Sequence, residues 1–303
     1  MSTIAIISAW GRGYGTGHIQ RMASLLWHLN ANTDIRAVLL AEETPGFFGR
    51  DLADRVIKKP GGGIDLIIRD MRDSTEEEIE ALQRIAPVLS IDDQGSGRQR
   101  ADFVMDMLPN PRSNSPQASG KTFIYGYTFM SAMLRNKGRL FEKTIDAAVY
   151  PGADSTAEYR ELLLSLLPEN SSYALCAGDA SFIAAKGTQR SFDASHFAQM
   201  LCSCRLLLSH FGILLYEAHA CGCALAAVNP GSYHARLCDV APRELAVHNL
   251  GVRDTLDVPR ARGIIKRLLS SHPGSPIAAD HVCDIIRENL DSFCRYLKSI
   301  LPT

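Results

Sequence analysis

The amino-acid sequence predicts an α/β protein with two domains, each built on a parallel sheet covered by helices. The length of 303 residues exceeds what one hydrophobic core usually takes. Short strand patterns alternate with helical patterns along the chain, which is typical of parallel sheets. All eight cysteines fall in the second half, which indicates two separately built parts. We therefore expect a first domain over residues 1–140 and a second over 141–303.

Composition limits the class of partner. The chain is 46% hydrophobic and 21% charged, with a formal net charge of -1, so nothing indicates binding to nucleic acid or to an anionic membrane. The sequence opens on a strand pattern, and no apolar run approaches the ~20 residues that span a bilayer. We expect a cytoplasmic protein without a membrane span. The sequence carries no signal for its oligomeric state.

The first half contains six strand patterns, at residues 3–8, 35–41, 64–70, 87–92, 101–107 and 121–126. A helical stripe follows the first strand and consists of Ile19, Met22, Leu25, Leu26 and Leu29. Ser74 and Glu77 have the spacing of a capping box, which predicts the start of a helix after the third strand.

The second half restarts the pattern with a strand and a glycine turn in "TIDAAVYPGADST". Ser155 and Glu158 repeat the capping-box spacing before the next helix. Further strands are predicted at 173–177, 181–185, 205–209, 224–228 and 245–248. The last helix, about 278–300, carries one apolar face, and the first domain is one surface on which it could pack.

Ligands of parallel α/β domains bind at the carboxyl ends of the strands, so we expect a site in the cleft between the two domains. The loop "GRGYGTGHIQRM" (residues 11–22) follows the first strand. Its glycines do not have the G-x-G-x-x-G spacing of a dinucleotide site, which argues against NAD. Glycines at a helix start instead allow backbone amides to approach an anionic or sugar ligand closely.

His18 stands at that helix start. The helix dipole favours the neutral imidazole, which accepts a proton, so His18 is a candidate general base. The alternative is a histidine that caps the helix or packs in the core.

The cysteines raise the question of a metal site. Two Cys-x-Cys pairs, at 202/204 and 221/223, have His210 and His219 nearby. Zinc ligand pairs are usually spaced by two or more residues, so we predict no metal and no cofactor, with the cysteines reduced and buried.

Four stretches together resemble one known family. They are "GYGTGHIQRMASLLWHL", "DLIIRDMRDSTEEEIEALQRIAPVLSIDDQGSGRQRADFVMDMLPNP", "VYPGADST" and "MLCSCRLLLSHFGILLYEAHACGCALAAV". The similarity is to the UDP-sugar hydrolase of pseudaminic acid biosynthesis, a relative of the N-acetylglucosaminyltransferase that makes lipid II. The resemblance implies a GT-B fold of two Rossmann-like domains and a metal-independent hydrolysis of a nucleotide sugar.

By position, His18 corresponds to the family's catalytic histidine, which activates the attacking water. Arg21 lies one helical turn further on and is expected to meet a phosphate or support the site. Gly15 and Gly17 are expected to shape the sugar pocket. Asp92 and Asp93 are expected near the same cleft, and the alternative for at least one of them is a structural cap of the turn that follows.

In the second domain "SHFGILLYE" is similar to the family's Gly-Gly-x-Thr/Ser-x-x-Glu pattern. The resemblance assigns Gly212 and Ile213 to the nucleotide diphosphate and Glu217 to the ribose hydroxyls. Phe211 stands at the first glycine position and Leu214 at the Thr/Ser position, and the family's following Asn-Gln pair is absent. The nucleotide end of the site is therefore less well preserved than the sugar end.

Three functions remain open at this point. The first is hydrolysis of a UDP-2,4-diacetamido-2,4,6-trideoxy sugar or a similar small-molecule nucleotide sugar, with His18 as general base and release of the nucleotide. The second is a GT-B glycosyltransferase, because the same base can activate an acceptor hydroxyl. The third is a catalytically silent protein that binds a sugar or nucleotide. Fold similarity alone does not separate them.

Overall fold

The computed structural model describes residues 1–10, 16–109, 123–152, 155–177, 180–185, 188–191, 196–271 and 274–302. The chain divides into two compact units. Unit 1 comprises Met1–Thr128 and Ile286–Thr303, and unit 2 comprises Phe129–Ile285. The first division lies between Thr128 and Phe129, whereas we expected the boundary near residue 140. The last stretch of the chain, from Ile286 onward, groups with the first unit.

Unit 1 contains a six-stranded parallel sheet with the order β3-β2-β1-β4-β5-β6. Its strands are β1 Thr3–Ser8, β2 Arg36–Leu40, β3 Val56–Ile57, β4 Leu66–Asp70, β5 Val88–Ile91 and β6 Phe103–Met105. The strand predicted at 121–126 is wrong for its described part, because residues 123–126 form no strand. There the Tyr125 carbonyl oxygen accepts a hydrogen bond from the Ser24 hydroxyl instead, at 2.6 Å.

The helices of unit 1 that precede its last strand are α1 Gly17–Asn32, α2 Arg50–Ala53 and α3 Glu76–Gln83. The predicted stripe of α1 is confirmed, since all five of its apolar residues are at most 1% exposed. The capping box of α3 is one residue later than predicted. Thr75 accepts from the Glu78 amide and Glu78 accepts from the Thr75 amide, because Ser74 is held by Asp93 instead.

Unit 2 contains a seven-stranded sheet with the order β11-β10-β9-β8-β12-β13-β14. Its strands are β8 Ile145–Val149, β9 Tyr173–Ala177, β10 Ala180–Ala185, β11 Thr188–Ser191, β12 Cys204–Ser209, β13 Ala224–Asn229 and β14 His248–Val252. The strands β9, β10 and β11 pair antiparallel, and the other pairs are parallel. Two short strands, β7 Leu140–Phe141 and β15 Ile277–Ala278, pair separately.

The remaining helices are α4 Tyr127–Arg135, α5 Ala157–Ser165, α6 Phe197–Cys202, α7 Ile213–Ala220, α8 Ser232–Asp239, α9 Val258–Ser271 and α10 Ala279–Ile300. The cap of α5 is Thr156, whose side chain accepts from the Tyr159 amide, and not the predicted Ser155. Tyr159 also donates its hydroxyl to the Val228 carbonyl oxygen at 2.6 Å, which ties α5 to β13. Burial raises the pKa of Tyr159 to about 12.

The C-terminal half of α10 packs with α1 in unit 1. His28 on α1 is 5% exposed, and its Nε2 lies 3.1 Å from Oδ1 of Asp291 on α10. Among the described helices, none has both the length and the hydropathy that crossing a bilayer requires.

Candidate functional site

In each unit the chain order reverses between two neighbouring strands. In unit 1, β2 and β3 lie on one side of β1, and β4, β5 and β6 lie on the other side. In unit 2, the same reversal occurs between β8 and β12. Ligands of open parallel sheets bind at the carboxyl ends of such strand pairs. The predicted site residues should therefore follow these strands.

His18 is the second residue of α1, the helix that follows β1. Gly17 is the first residue of that helix, and Thr16 precedes it without a capping hydrogen bond from its side chain. Gly15, which we expected to shape the sugar pocket, lies outside the described residues. His18 thus lies on the first helix after the carboxyl end of β1, which is the position that the glycine loop predicted.

Asp70 orients His18. It is the last residue of β4 and is fully buried, and its Oδ1 lies 2.8 Å from Nδ1 of His18. A carboxylate there accepts a hydrogen bond from Nδ1–H, and in the neutral tautomer with that proton Nε2 is the acceptor. Within the described parts of the chain, Nε2 of His18 has no hydrogen-bond partner. The imidazole can therefore accept a proton from a bound ligand.

Arg21 connects two carboxylates. Its Nε donates to Oδ2 of Asp70 at 2.7 Å and its Nη2 to Oδ1 of Asp70 at 2.5 Å. The same Nη2 donates to Oδ2 of Asp92 at 2.6 Å. Arg21 is 2% exposed, and these donors already bond carboxylates inside the protein. Of the two roles expected for Arg21, the contacts therefore favour support of the site over binding of a phosphate. We call His18, Arg21, Asp70 and Asp92 the ionic cluster.

The two carboxyl groups of this cluster are shifted in opposite directions. Burial by itself would raise the pKa of Asp70. The neighbouring Arg21 and His18 have the larger, opposite effect, so the pKa is lowered to about 2. Burial also raises the pKa of Asp92, and the neighbouring Asp70 adds to that rise, so that it stays above its ordinary value despite Arg21. Asp70 is therefore the permanent anion beside the histidine.

Asp92 adopts a left-handed backbone conformation, with φ of 54°, directly after β5. An L-residue there costs roughly 1–2 kcal/mol, which aspartate tolerates better than most. Its Oδ1 accepts the backbone amides of Met107 and Leu108 at 2.7 and 2.9 Å. Asp92 thus holds the segment after β6 to the ionic cluster.

Asp93 has a different position from its neighbour. Its Oδ1 accepts the amides of Ser74 and Gly95 at 3.0 and 2.9 Å, and its Oδ2 accepts the hydroxyls of Ser74 and Ser90. A Cβ on Gly95 would lie 2.0 Å from the Ser74 carbonyl oxygen, so the loop needs glycine there. The contacts of Asp93 are those of the structural cap that we gave as the alternative.

The proposed nucleotide residues lie at the start of α7 in unit 2. Gly212 precedes the helix in an extended conformation, and a Cβ there would meet no atom within 4 Å. Ile213 is the first residue of α7, and Glu217 is buried on the same helix, 7% exposed. The structure thus brings Gly212 and Ile213 to the carboxyl end of β12.

Phe211 and Leu214, which depart from the family pattern, are buried core residues. The Phe211 ring meets Tyr216 edge to face at 6.4 Å, and its amide donates to Oδ1 of Asn229 at 3.0 Å. Asn229 is fully buried and donates from Nδ2 to Oδ1 of Asn249 at 3.1 Å. This asparagine pair was not predicted, although Asn229 stands directly before the Pro-Gly turn.

His210 is a second residue whose position the sequence did not predict. It follows β12, stacks on Tyr150 at 6.2 Å and meets His234 edge to face at 6.0 Å. A Cβ on Gly152, which has φ of +104°, would lie 3.1 Å from Cε1 of His210. Burial lowers the pKa of His210, and its buried Nδ1 has no hydrogen-bond partner among the described residues. The imidazole of His210 is therefore favoured in its neutral form.

All eight cysteines are free thiols and buried. Sγ of Cys202 and Sγ of Cys221 lie 3.1 Å apart, and Lys143 donates to the Cys204 carbonyl oxygen at 2.7 Å. Within the described parts of the chain, no group of three or more His, Cys, Asp or Glu side chains is placed to hold a metal ion.

No protein-family model matches the chain, and no curated protein matches it in sequence. Solved structures match in fold. The glycotransferase of kitacinnamycin has a TM-score of 0.55 at 10% identity, with 99% of both chains covered. The spinosyn rhamnosyltransferase complexed with thymidine diphosphate has a TM-score of 0.54 at 11% identity, covering 98% of this chain and all of the other.

A putative UDP-N-acetylglucosamine 2-epimerase from Listeria monocytogenes has a TM-score of 0.52 at 11% identity, covering 98% of this chain and 95% of the other. The predicted GT-B fold class is confirmed. At these identities the likeness shows the fold alone.

Proposed function

We propose that the protein is a GT-B glycosyltransferase that moves a sugar from a nucleotide donor to an acceptor hydroxyl, with His18 as general base. The observation that carries this proposal is the His18–Asp70 pair at the carboxyl ends of β1 and β4. Asp70 fixes the imidazole tautomer and stabilises the imidazolium that forms when the proton arrives. A positioned base of this kind contributes about 100- to 10,000-fold to a rate.

The reaction balances as a single displacement. The acceptor O–H gives its proton to Nε2 of His18 while its oxygen bonds to the anomeric carbon. The bond from that carbon to the phosphate oxygen breaks, and its electron pair leaves with the nucleoside diphosphate. A nucleotide-containing ligand is supported by two solved structures of the same fold, a rhamnosyltransferase complexed with thymidine diphosphate and a putative UDP-N-acetylglucosamine 2-epimerase.

Hydrolysis is the second candidate. The sequence resemblance around His18 and Arg21 favours it, with water in place of the acceptor and a UDP-2,4-diacetamido-2,4,6-trideoxy sugar as substrate. The same base serves both reactions, so the two differ only in whether sugar release needs an acceptor.

We assign the nucleotide to unit 2, at Gly212, Ile213 and Glu217, with His210 as a further hydrogen-bonding group. Amides at the start of α7 would meet the diphosphate. The unpartnered Nδ1 of His210 would pair with the ligand. Glu217→Gln keeps the size but weakens charge-assisted bonds to ribose, so nucleotide affinity should fall several-fold. Glu161→Gln, on the exposed face of α5, is the matched control and should leave affinity unchanged.

The experiment begins with a thermal-shift screen against UDP, dTDP, ADP, GDP and CDP, since a ligand at 100 times its Kd stabilises by about 2.7 kcal/mol. Turnover of the matching nucleotide sugars is then measured with and without hydroxyl acceptors. His18→Leu should lower turnover by about 100-fold or more at nearly unchanged nucleotide affinity. His28→Leu is the control, because His28 is also a buried α1 histidine paired with an aspartate.

Turnover by His18→Leu within a few-fold of the unmodified protein would refute the base assignment. Sugar release at the full rate without any acceptor would favour hydrolysis. Nucleotide binding without consumption of any nucleotide sugar would favour the silent binder.

A further inference from the structure

Ser8 is a buried hydroxyl beside the ionic cluster that the proposed chemistry does not use. It is the last residue of β1 and is 6% exposed. Its Oγ is buried, and it has no hydrogen-bond partner among the described residues. An unpaired buried hydroxyl is costly, so this one needs an explanation.

The sheet register places Ser8 next to Asp70. The two residues are direct partners across β1 and β4. Register partners of parallel strands project to the same face, and strand neighbours two apart share it, so Ser8 lies on the face of Ile4 and Ile6. The carboxylate of Asp70 contacts His18 and Arg21 of α1 on that face. The Ser8 hydroxyl therefore lies on the face that carries the ionic cluster.

The other buried serines of the described chain all have partners. Ser24 donates to the Tyr125 carbonyl oxygen, Ser209 donates to the Tyr150 carbonyl oxygen, and Ser74 and Ser90 donate to Asp93. Ser209 is the closest counterpart, because it ends β12 beside the other strand reversal and is 1% exposed. The unpaired state of Ser8 is therefore not a general feature of serines at strand ends.

We propose that Ser8 is a ligand-binding residue whose Oγ hydrogen-bonds a hydroxyl group of the substrate bound beside His18. Asp70, the direct neighbour of Ser8 across the sheet, is held as an anion by Arg21, so a second anion such as a phosphate or carboxylate is disfavoured beside it. A neutral hydroxyl can both donate to and accept from Oγ. The choice of a hydroxyl-bearing sugar or acceptor as the substrate rests on the proposed function.

Two serine variants test this inference. Without ligand, Ser8→Ala should leave the Tm unchanged or higher, because it removes an unpaired hydroxyl. Ser209→Ala should lower the Tm by a few degrees, since it breaks the 2.8 Å bond to Tyr150. With UDP-N-acetylglucosamine and dTDP-rhamnose as probes, together with the acceptors of the turnover screen, Ser8→Ala should raise the KM for the sugar or the acceptor about three- to ten-fold. Its kcat should change less than its KM.

The substrate whose KM rises identifies the molecule that carries the hydroxyl. A higher KM for the donor assigns it to the sugar, and a higher KM for the acceptor assigns it to the acceptor. Unchanged KM values for both would overturn the proposal and leave a bound water as the partner of Ser8. If the unmodified protein consumes no nucleotide sugar, the proposed function has failed on its own. The ligand-free Tm comparison still tests whether the Ser8 hydroxyl is unpaired. A fall in Tm like that of Ser209→Ala would overturn the unpaired state on which the inference rests.

Discussion

The strand ends of the two units differ in the kind of polar contact they contain. In unit 1 the ionic cluster joins Asp70, at the end of β4, and Asp92, directly after β5, to α1. Arg21 contacts both carboxylates, and His18 contacts Asp70. Among the described residues of unit 2, the groups at the ends of β12 and β13 are neutral, with His210 stacked on Tyr150 and Asn229 bonded to the Phe211 amide. Proton transfer requires a proton acceptor held in a fixed orientation, and among the described residues the His18–Asp70 pair of unit 1 has that geometry.

The difference fits the proposed roles of the two units. An imidazole oriented by a carboxylate suits chemistry on the sugar, whereas the aromatic and amide groups of unit 2 suit binding. The ionic cluster should also make unit 1 more sensitive to substitution. Leaving one partner of a buried ion pair alone costs more than losing a neutral hydrogen bond.

The largest expected effect on stability is that of Arg21→Met. It leaves Asp70 and Asp92 buried without their cation, so the free energy of unfolding should fall by about 3–5 kcal/mol. Urea denaturation measures the change. Arg100→Met is the control, because Arg100 pairs with Glu76 at 2.9 Å on the surface, and it should change stability little. Equal effects of the two variants would contradict a special role for the buried cluster.

Asp70 gives a smaller, pH-dependent effect. Its pKa is about 2 in the folded protein and about 3.9 in an unfolded chain, so its ionisation stabilises the fold above pH 4. That contribution, roughly 2–3 kcal/mol, is lost as the pH falls through about 2. The stability difference between the unmodified protein and Asp70→Asn should therefore shrink over this window in acid denaturation curves. A difference that stays constant from pH 7 to 2 would show that Asp70 is not a stabilised anion.

The glycine loop predicted that His18 lies at the start of the helix after β1, and apolar runs predicted most of the strands. The catalytic role of His18 stays a prediction. Asp70 was visible as the end of a strand but was not assigned a role, because no local pattern shows which helix a strand end faces. Asp92 and Asp93 are adjacent and similar, yet the left-handed backbone at Asp92 sends the two carboxylates to different partners. The capping box of α3 shifted by one residue for a related reason, since a tertiary contact to Asp93 holds Ser74 and leaves the cap to Thr75.

The smallest effect is expected at Asn229 in unit 2, and it tests the neutral side of the comparison. Asn229→Ala leaves the Phe211 amide unpaired, whereas Asn249 keeps its hydrogen bond from the Gly251 amide at 3.1 Å. The loss should therefore be only about 1–2 kcal/mol in urea denaturation. It should be the same at pH 4 and pH 8, because no group in the broken contacts titrates in this range. The Cys238 thiol also contacts Asn229, but burial raises its pKa to about 12.

Asn229→Asp is the sharper variant, because it adds to unit 2 the kind of charge that unit 1 contains. The substitution keeps an acceptor for the Phe211 amide, but it replaces the Nδ2 donor with an oxygen that faces Oδ1 of Asn249. A fully buried carboxyl without a cation has a raised pKa, so its ionisation opposes folding. The stability of this variant should accordingly decrease as the pH rises above about 4, the reverse of the Asp70 contribution. A pH-independent loss like that of Asn229→Ala would show that the unit 2 strand ends accept charge as readily as those of unit 1, and the contrast between the units would then fail.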